Sequence, residues 1–226
     1  MKTKYHPILF NAPMVAALIE GSKTQTRRTK GLEKVIYNTD NWEFISLGPN
    51  PYKEDDPMLY AYFKIKDSDT WMYLKSPYKI GDVLWVRETF YKTEAPELEG
   101  AYYYKALLDP SWIFKWKPSI FMPKEACRIF LKVTDVKVER LNDISEEDAI
   151  AEGVLFDKQF DLFHCYICKD KGHKGGDLLC EDGFYKEAKQ SFECLWESIN
   201  GKGSWNKNPF VFVIKFERIE KPKDFI

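Results

Sequence analysis

"HPILFNAPMVAALIEGSKTQTRR", His6 to Arg28, carries the fold in outline. HPILF, His6 to Phe10, is a short apolar run that reads as a buried strand. Asn11 can cap a helix running through Glu20, because its side-chain oxygen satisfies a free backbone N–H of the first turn, and Pro13 is tolerated there. Met14, Leu18 and Ile19 suit the buried side of that helix, and Gly21 supplies a left-handed stop. SKTQTRR therefore begins where a helix has just ended. It sets Lys23, Thr24, Thr26, Arg27 and Arg28 close together in a chain whose formal net charge is only -1.

Further along, Tyr78 to Asp82 reads as a turn into the strand VLWVRETF, and AYYYKA, Ala101 to Ala106, reads as another strand. RIFLKVTDVKVERL puts Ile129, Leu131 and Val133 on one face and then Val136 and Val138 with shifted parity, which predicts a bulge near Thr134–Asp135. In DISEEDAIAEG, Ser145 is a good N-cap, Glu146 and Glu147 favour the positive helix end, and Gly153 stops the helix. FYKEAKQSFECLWESING has Phe184, Ala188, Phe192, Leu195 and Ile199 at helical spacing. PFVFVIKFERI alternates Phe210, Phe212, Ile214 and Phe216, as a half-buried strand does. Residues 31–75 are less regular and read as an excursion with weak strands. Few strands alternate with helices, so the expected class is α+β with a mostly antiparallel, closed sheet.

Composition narrows the functional classes. The 226 residues are 44% hydrophobic and 16% aromatic, enough for a large core. With a pI near 6.4 the chain is no polycation, so strong double-stranded DNA binding is not expected and any phosphate recognition must be local. No stretch reaches the ~18 apolar residues of a membrane span, and no apolar run suits a signal peptide, so a membrane partner is not expected. Five unevenly spaced cysteines argue against a secreted disulfide scaffold and for a reducing cytoplasm.

Four stretches carry a family likeness: HPILFNAPMVAALIEGSKTQTRR, GDVLWVRETF, WKPSIFMPKEACRIFLKVTDVKVERLNDISEEDAIAEG and LWESINGKGSWNKNPFVFVIKFERI. Together they resemble the larger, phage-associated members of the ASCH-domain family. The resemblance covers most of a single domain spanning 1–226 and fails at insertions of about 31–75 and 154–183. It implies a PUA-like pseudo-β-barrel with flanking helices, related to RNA-binding modules, working in the cytoplasm of a bacterium or a phage-infected host. A small bacterial member is an amidohydrolase that removes the acetyl group from N4-acetylcytidine. Its lysine matches Lys23 in the G-x-K-T-x-T-x-R signature, its threonine matches Thr26, and its glutamate is best matched by Glu152. The resemblance thus implies Thr26 as nucleophile, Lys23 as base and Glu152 as acid, with a modified nucleoside or RNA as partner and no cofactor for catalysis.

The residues themselves support that chemistry in part. A threonine hydroxyl needs a neighbouring base, and a lysine serves as one when burial or nearby cations such as Arg27 and Arg28 ease its deprotonation. Glu152 precedes a helix stop, where the negative end of the macrodipole disfavours a carboxylate and suits a proton donor. That position favours it over Glu146 and Glu147. Lys23 and Thr26 would face opposite sides of a regular strand, so a cooperating pair requires a turn or bulge. The competing reading is a solvated edge strand with its arginines in water. Thr24, Arg27, Arg28, Trp85, Arg87 and Glu88 are candidate substrate contacts, Trp85 by stacking on a base. A core Trp85 and a surface Arg87–Glu88 charge pair are the plainer alternatives. A non-catalytic RNA-binding module and a ribonuclease remain the alternative functions.

HCYICKDKGHKGGDLLC is the second distinctive stretch. Cys165, Cys168, His173 and Cys180 resemble a zinc knuckle whose last gap is two residues too long. Three thiolates and an imidazole suit tetrahedral zinc, here structural, with His164 as an alternative ligand and free thiols on a loop as the competing reading. Cys127, in an apolar strand, and Cys194, in an apolar helix, read as small core residues.

Overall fold

The computed structural model describes residues 4–36, 39–93, 101–107, 115–166 and 183–225. In chain order the first half holds β1 (Tyr5–Leu9), α1 (Ala12–Glu20), β2 (Gln25–Arg28), α2 (Glu33–Ile36), β3 (Trp42–Gly48), β4 (Tyr60–Ile65), β5 (Trp71–Lys75), β6 (Val83–Arg87), β7 (Phe90–Lys92) and β8 (Tyr102–Tyr104). The second half holds β9 (Phe130–Arg140), α3 (Glu146–Ala151), β10 (Phe156–Asp157), β11 (Leu162–His164), β12 (Phe184–Tyr185), α4 (Ala188–Asn200) and β13 (Phe210–Ile219). The class is α+β with mostly antiparallel sheets. Among the described residues no helix is long and apolar enough to cross a membrane.

The principal sheet has five strands in the order β1-β6-β9-β13-β2, parallel only between β1 and β6. The expected bulge is present: Lys215 pairs with Asp135 and Phe216 with Val133, so Thr134 is the extra residue. Val136 and Val138 thereby stay buried after the change of parity. Along β6, Leu84 and Val86 join the main core, while Val83 and Trp85 join a second cluster with Phe130 and Phe225. The strand is therefore covered on both faces.

The sheet is open, not closed as the sequence suggested. No ladder joins the edge strands β1 and β2. β2 is only four residues long, and Pro7 in β1 has no N–H to donate, which suits an edge strand. A side chain spans the seam instead: the Arg28 guanidinium donates to the carbonyl of Leu9 at 3.1 Å.

Three further expectations change. Residues 42–75 hold a three-stranded antiparallel sheet, β3-β4-β5, with a register shift between Phe44 and Ser46, and not weak strands. Its Trp42, Phe63 and Leu74 enter the main core, with Phe63 packed edge-on to Phe210 at 5.0 Å. β13 is half-buried only in its second part, where Ile214 and Phe216 are buried while Lys215 and Glu217 are less so; in its first part Val211 and Val213 are as buried as Phe212 between them, so both faces are covered there. Phe184 belongs to a short strand pairing with His164, and the helix begins at Ala188. Its first turn is capped from a distance, the Glu146 carboxylate accepting from the N–H groups of Ala188 and Lys189 at 2.7 and 3.1 Å. Cys127 is buried as expected, but it follows a turn at Lys124–Ala126 and precedes β9.

Gly153 is the tightest junction near the site. Its φ is +82°, and a Cβ there would stand 2.7 Å from that of Ala17 and 2.8 Å from that of Lys23. Gly153→Ala is expected to cost at least ~2 kcal/mol, from left-handed strain plus overpacking. A urea midpoint that falls at constant slope checks this.

Candidate active site

Lys23 sits between α1 and β2, just before the strand begins, so strand alternation does not govern its direction. Its N–H donates to the carbonyl of Ala17 at 3.1 Å, and that of Thr24 donates to the carbonyl of Ala151 at 2.8 Å. The first bond ties the segment back to α1 and the second holds it against the C-terminal end of α3. The Lys23 ammonium is buried and spends its donors on Gln25 O (2.9 Å), Glu152 O (2.7 Å) and Glu152 Oε2 (3.1 Å). A cation thus neutralises the negative helix end that Glu152 caps.

Burial drives the Lys23 pKa down to about 8, with Arg28 and Arg27 adding to the fall and Glu152 opposing it. Arg27 lies beside it with no exposed side-chain surface. It donates to Glu152 Oε1 at 3.0 Å, to Asp148 Oδ2 at 3.0 Å and to Glu139 Oε1 at 2.6 Å from Nη2 and 2.9 Å from Nε. Burial opposes the Arg27 charge, but Glu152 and Glu139 more than offset that and raise its pKa. Gln25, on the same side of β2, donates to the carbonyl of Asp148 at 2.9 Å. Two cations therefore face three carboxylates in a cluster that clamps α3 to β2.

Glu152 is 1% exposed and each of its oxygens accepts from a cation. That arrangement holds a carboxylate as an acceptor, and it differs from the isolated proton donor that the helix end alone suggested. Thr26 is fully buried and its hydroxyl has no hydrogen-bond partner among the described residues. It lies one residue out of phase with Gln25 and Arg27, and so on the other face of β2.

A cleft of about 450 Å³ opens at the seam of the sheet. One wall comes from Leu9 and Phe10, another from Arg27, Arg28 and Lys30, and a third from Phe192, Leu195 and Trp196 of α4. Tyr78 and Glu152 also contribute. Lys23 and Arg28 approach the Phe10 ring at 5.2 and 5.3 Å from its centroid. Burial lowers the Arg28 pKa. Lys23 and Thr26 lie behind this surface, since both are buried.

The other sequence candidates fall elsewhere. Thr24 is exposed on the outer side of the turn. Trp85 lies in the second core cluster, tilted against Phe225 at 5.9 Å, and does not line the cleft. Arg87 packs its guanidinium on Trp85 and bonds the carbonyl of Ile120. Glu88 is 1% exposed and bound by the fork of Arg128 at 2.8 and 2.9 Å, so it is no surface charge. Of the metal candidates, Cys165 is buried with its sulfur 3.3 Å from that of Cys194. His164 stands 3.7 Å from Asp157. Cys168, His173 and Cys180 lie outside the described residues, and among the described residues no three potential ligands stand together.

Sequence reasoning did not single out Glu139, Asp148, Gln25, Phe10 or the α4 face. Asp148 sits one turn before Glu152 on α3, a spacing that could have linked the two. Glu139 and Phe10 carry no local signal. Comparisons with protein-family models, curated proteins and solved structures give no match.

Proposed function

We propose that the seam cleft is the site of an amidohydrolase acting on an acylated nucleobase or nucleoside of the N4-acetylcytidine type, on a PUA-like scaffold. The buried Lys23–Glu152 contact of 3.1 Å at the cleft carries this reading, with the amine drawn down to about 8. At pH 7 roughly one such amine in ten is neutral. That neutral fraction is the base, and Glu152 Oε2, in contact with Nζ, receives the proton the amine takes up and so becomes the acid. The neutral amine has a lone pair and one donor fewer, so in this reading it releases one acceptor and swings to take the proton of Thr26, whose unpartnered hydroxyl lies on the face of β2 away from Gln25 and Arg27. The threonine oxygen then attacks the acyl carbon, the C–N bond breaks as the leaving amine takes the proton relayed from Lys23 through Glu152, and water cleaves the acyl-threonine.

The cleft volume lies within the ~300–1,000 Å³ of small-molecule sites. Phe10, Tyr78, Phe192 and Trp196 offer flat apolar surface for a base. Arg27 is neutralised by its carboxylates, which leaves Arg28 and Lys30 as the lining cations facing substrate. Two cations suit one small anionic or polar molecule better than a polymer.

Incubation with N4-acetylcytidine and chromatography for cytidine tests the activity; the absence of turnover on any N-acylated nucleoside removes it. Thr26→Val is the sharper probe, because it keeps the shape and deletes only an unpartnered hydroxyl. The expected result is a loss of activity of at least ~10²-fold with a urea midpoint unchanged or slightly raised. Unchanged turnover in Thr26→Val excludes the nucleophile.

A further inference from the structure

Ala61 and Phe63 of β4 and Leu74 of β5 turn into the main core. Strand alternation therefore sends Tyr60, Tyr62 and Lys64, with Trp71, Tyr73 and Lys75, to the outer face of the sheet. The register sets them opposite one another as Lys64–Trp71, Tyr62–Tyr73 and Tyr60–Lys75. Trp71 is 42% exposed, and Tyr52, from the loop before β4, is 83% exposed.

The rings are held in place. Tyr73 meets Tyr62 edge-on at 5.0 Å and Tyr52 edge-on at 5.6 Å, and Trp71 lies parallel to Tyr73 within 7° at 6.5 Å. The Tyr62 hydroxyl donates to the carbonyl of Pro49 at 2.6 Å, and its ring runs so close to Gly48 that a Cβ there would stand 3.0 Å away. The Tyr60 hydroxyl donates to Asp56 at 2.8 Å. By contrast, the Trp71 indole N–H and the hydroxyls of Tyr52 and Tyr73 have no hydrogen-bond partner among the described residues. The face thus offers flat rings and three donors.

Charge decides what it takes. Residues 42–75 carry six carboxylates and four lysines. Lys64 and Lys75 reach Asp69 and Asp56 at 3.1 and 3.7 Å, while Glu43, Glu54 and Asp55 are exposed. An acidic rim repels phosphate, which disfavours a nucleic acid strand despite the rings. A second copy in a two-fold contact would set that rim against itself. A proline-rich strand with a basic neighbour meets each feature: its rings lie on aromatic faces, its carbonyls accept from the donors, and its helix is pre-formed. Its rise of ~3.1 Å per residue carries it ~6.2 Å in two residues, close to the 6.5 Å between Trp71 and Tyr73.

We propose that this face is a docking site for a proline-rich segment of a partner protein with lysine or arginine beside the prolines. Tyr52, Tyr62, Trp71 and Tyr73 do not line the seam cleft, so the inference stands apart from the proposed chemistry.

Isothermal titration of the full chain with an arginine-capped octaproline peptide tests it. Saturable binding of one peptide per chain is the expected result, with the glutamate-capped peptide about threefold weaker. Trp71→Ala and Tyr52→Ala should each weaken binding about tenfold, with urea midpoints unchanged because both side chains are exposed. No saturation by ~1 mM peptide, wild-type affinity in both variants, or tighter binding of the glutamate-capped peptide overturns the proposal. So does a dodecauridylate strand that binds more tightly than the peptide, or sedimentation as a dimer that Trp71→Ala dissociates.

Discussion

Lys23→Met is expected to lower deacylation by on the order of 10³-fold while the chain still folds, since methionine fills the lysine track without its charge. The pH dependence makes the result specific. If the neutral amine is the base, wild-type kcat/KM rises with pH and levels off above about 8, where half the amines have lost their proton. Any residual activity of the variant should lack that rise. Stability should show the same group independently. Below about 8 the folded and unfolded chains both hold the Lys23 proton, so stability does not vary with it there. Between about 8 and the ordinary value of 10.5 the unfolded chain holds the proton and the folded chain does not, so stability rises with pH. The gain of wild type over Lys23→Met across that window is about 3 kcal/mol, from a displacement of 10.5 to about 8. Full turnover in the variant, or a wild-type profile flat through pH 8, removes the amine from the chemistry.

Arg27→Met should have the largest effect on stability. Its fork holds Glu139, Asp148 and Glu152 together, and its side chain has no exposed surface. Removing one partner of a buried charge group leaves the others uncompensated, at a cost of ~3–5 kcal/mol. The loss should be smallest in acid, where carboxylates deprived of their cation take up protons. Arg27→Lys should recover less than half, because an ammonium cannot reach three carboxylates as a planar fork does. Arg27→Met combined with Glu152→Gln should be more stable than the sum of the single losses by ~1 kcal/mol or more. Urea midpoints measure all four variants. A loss below ~1 kcal/mol in Arg27→Met would mean that the cluster is solvated and contributes little to holding α3 on β2.

Together the two variants separate roles that the sequence merged. Lys23 and Arg27 read as one basic patch along SKTQTRR. In the fold burial lowers the pKa of the amine to about 8, whereas the guanidinium is paired with Glu139, Asp148 and Glu152. Arg28 lies over Phe10 and donates to the carbonyls of Arg27 and Leu9, with no carboxylate bonded to it.

Local chemistry was legible where a residue's partner lies within a few positions. Asn11 accepts from Met14, Ser145 accepts from Asp148, and Gly21 and Gly153 take positive φ, all as their residue types dictate. The bulge at Thr134 was legible too, because a period-two pattern that changes phase must lose one residue from the ladder. Lys23 and Glu152 were named from the sequence, and the fold brings them into contact. What the sequence by itself determined is therefore α1, α3, β6 and β9 with their local caps and bulge, and the naming of Lys23 and Glu152; the sheet within residues 42–75 and the start and cap of α4 were not among these. Only the tertiary structure decided that the sheet stays open, that Trp85 and Glu88 point away from the cleft, and that Glu139, Asp148 and Cys194 belong to clusters. The physical reason is range. A cap or a turn is fixed by bonds within one stretch of backbone, whereas a buried ion cluster, a seam or a pair of facing sulfurs depends on strands and helices far apart in sequence, from 19 residues at the seam to 129 for Lys23 and Glu152, whose side chains carry no mark of the partner they will meet.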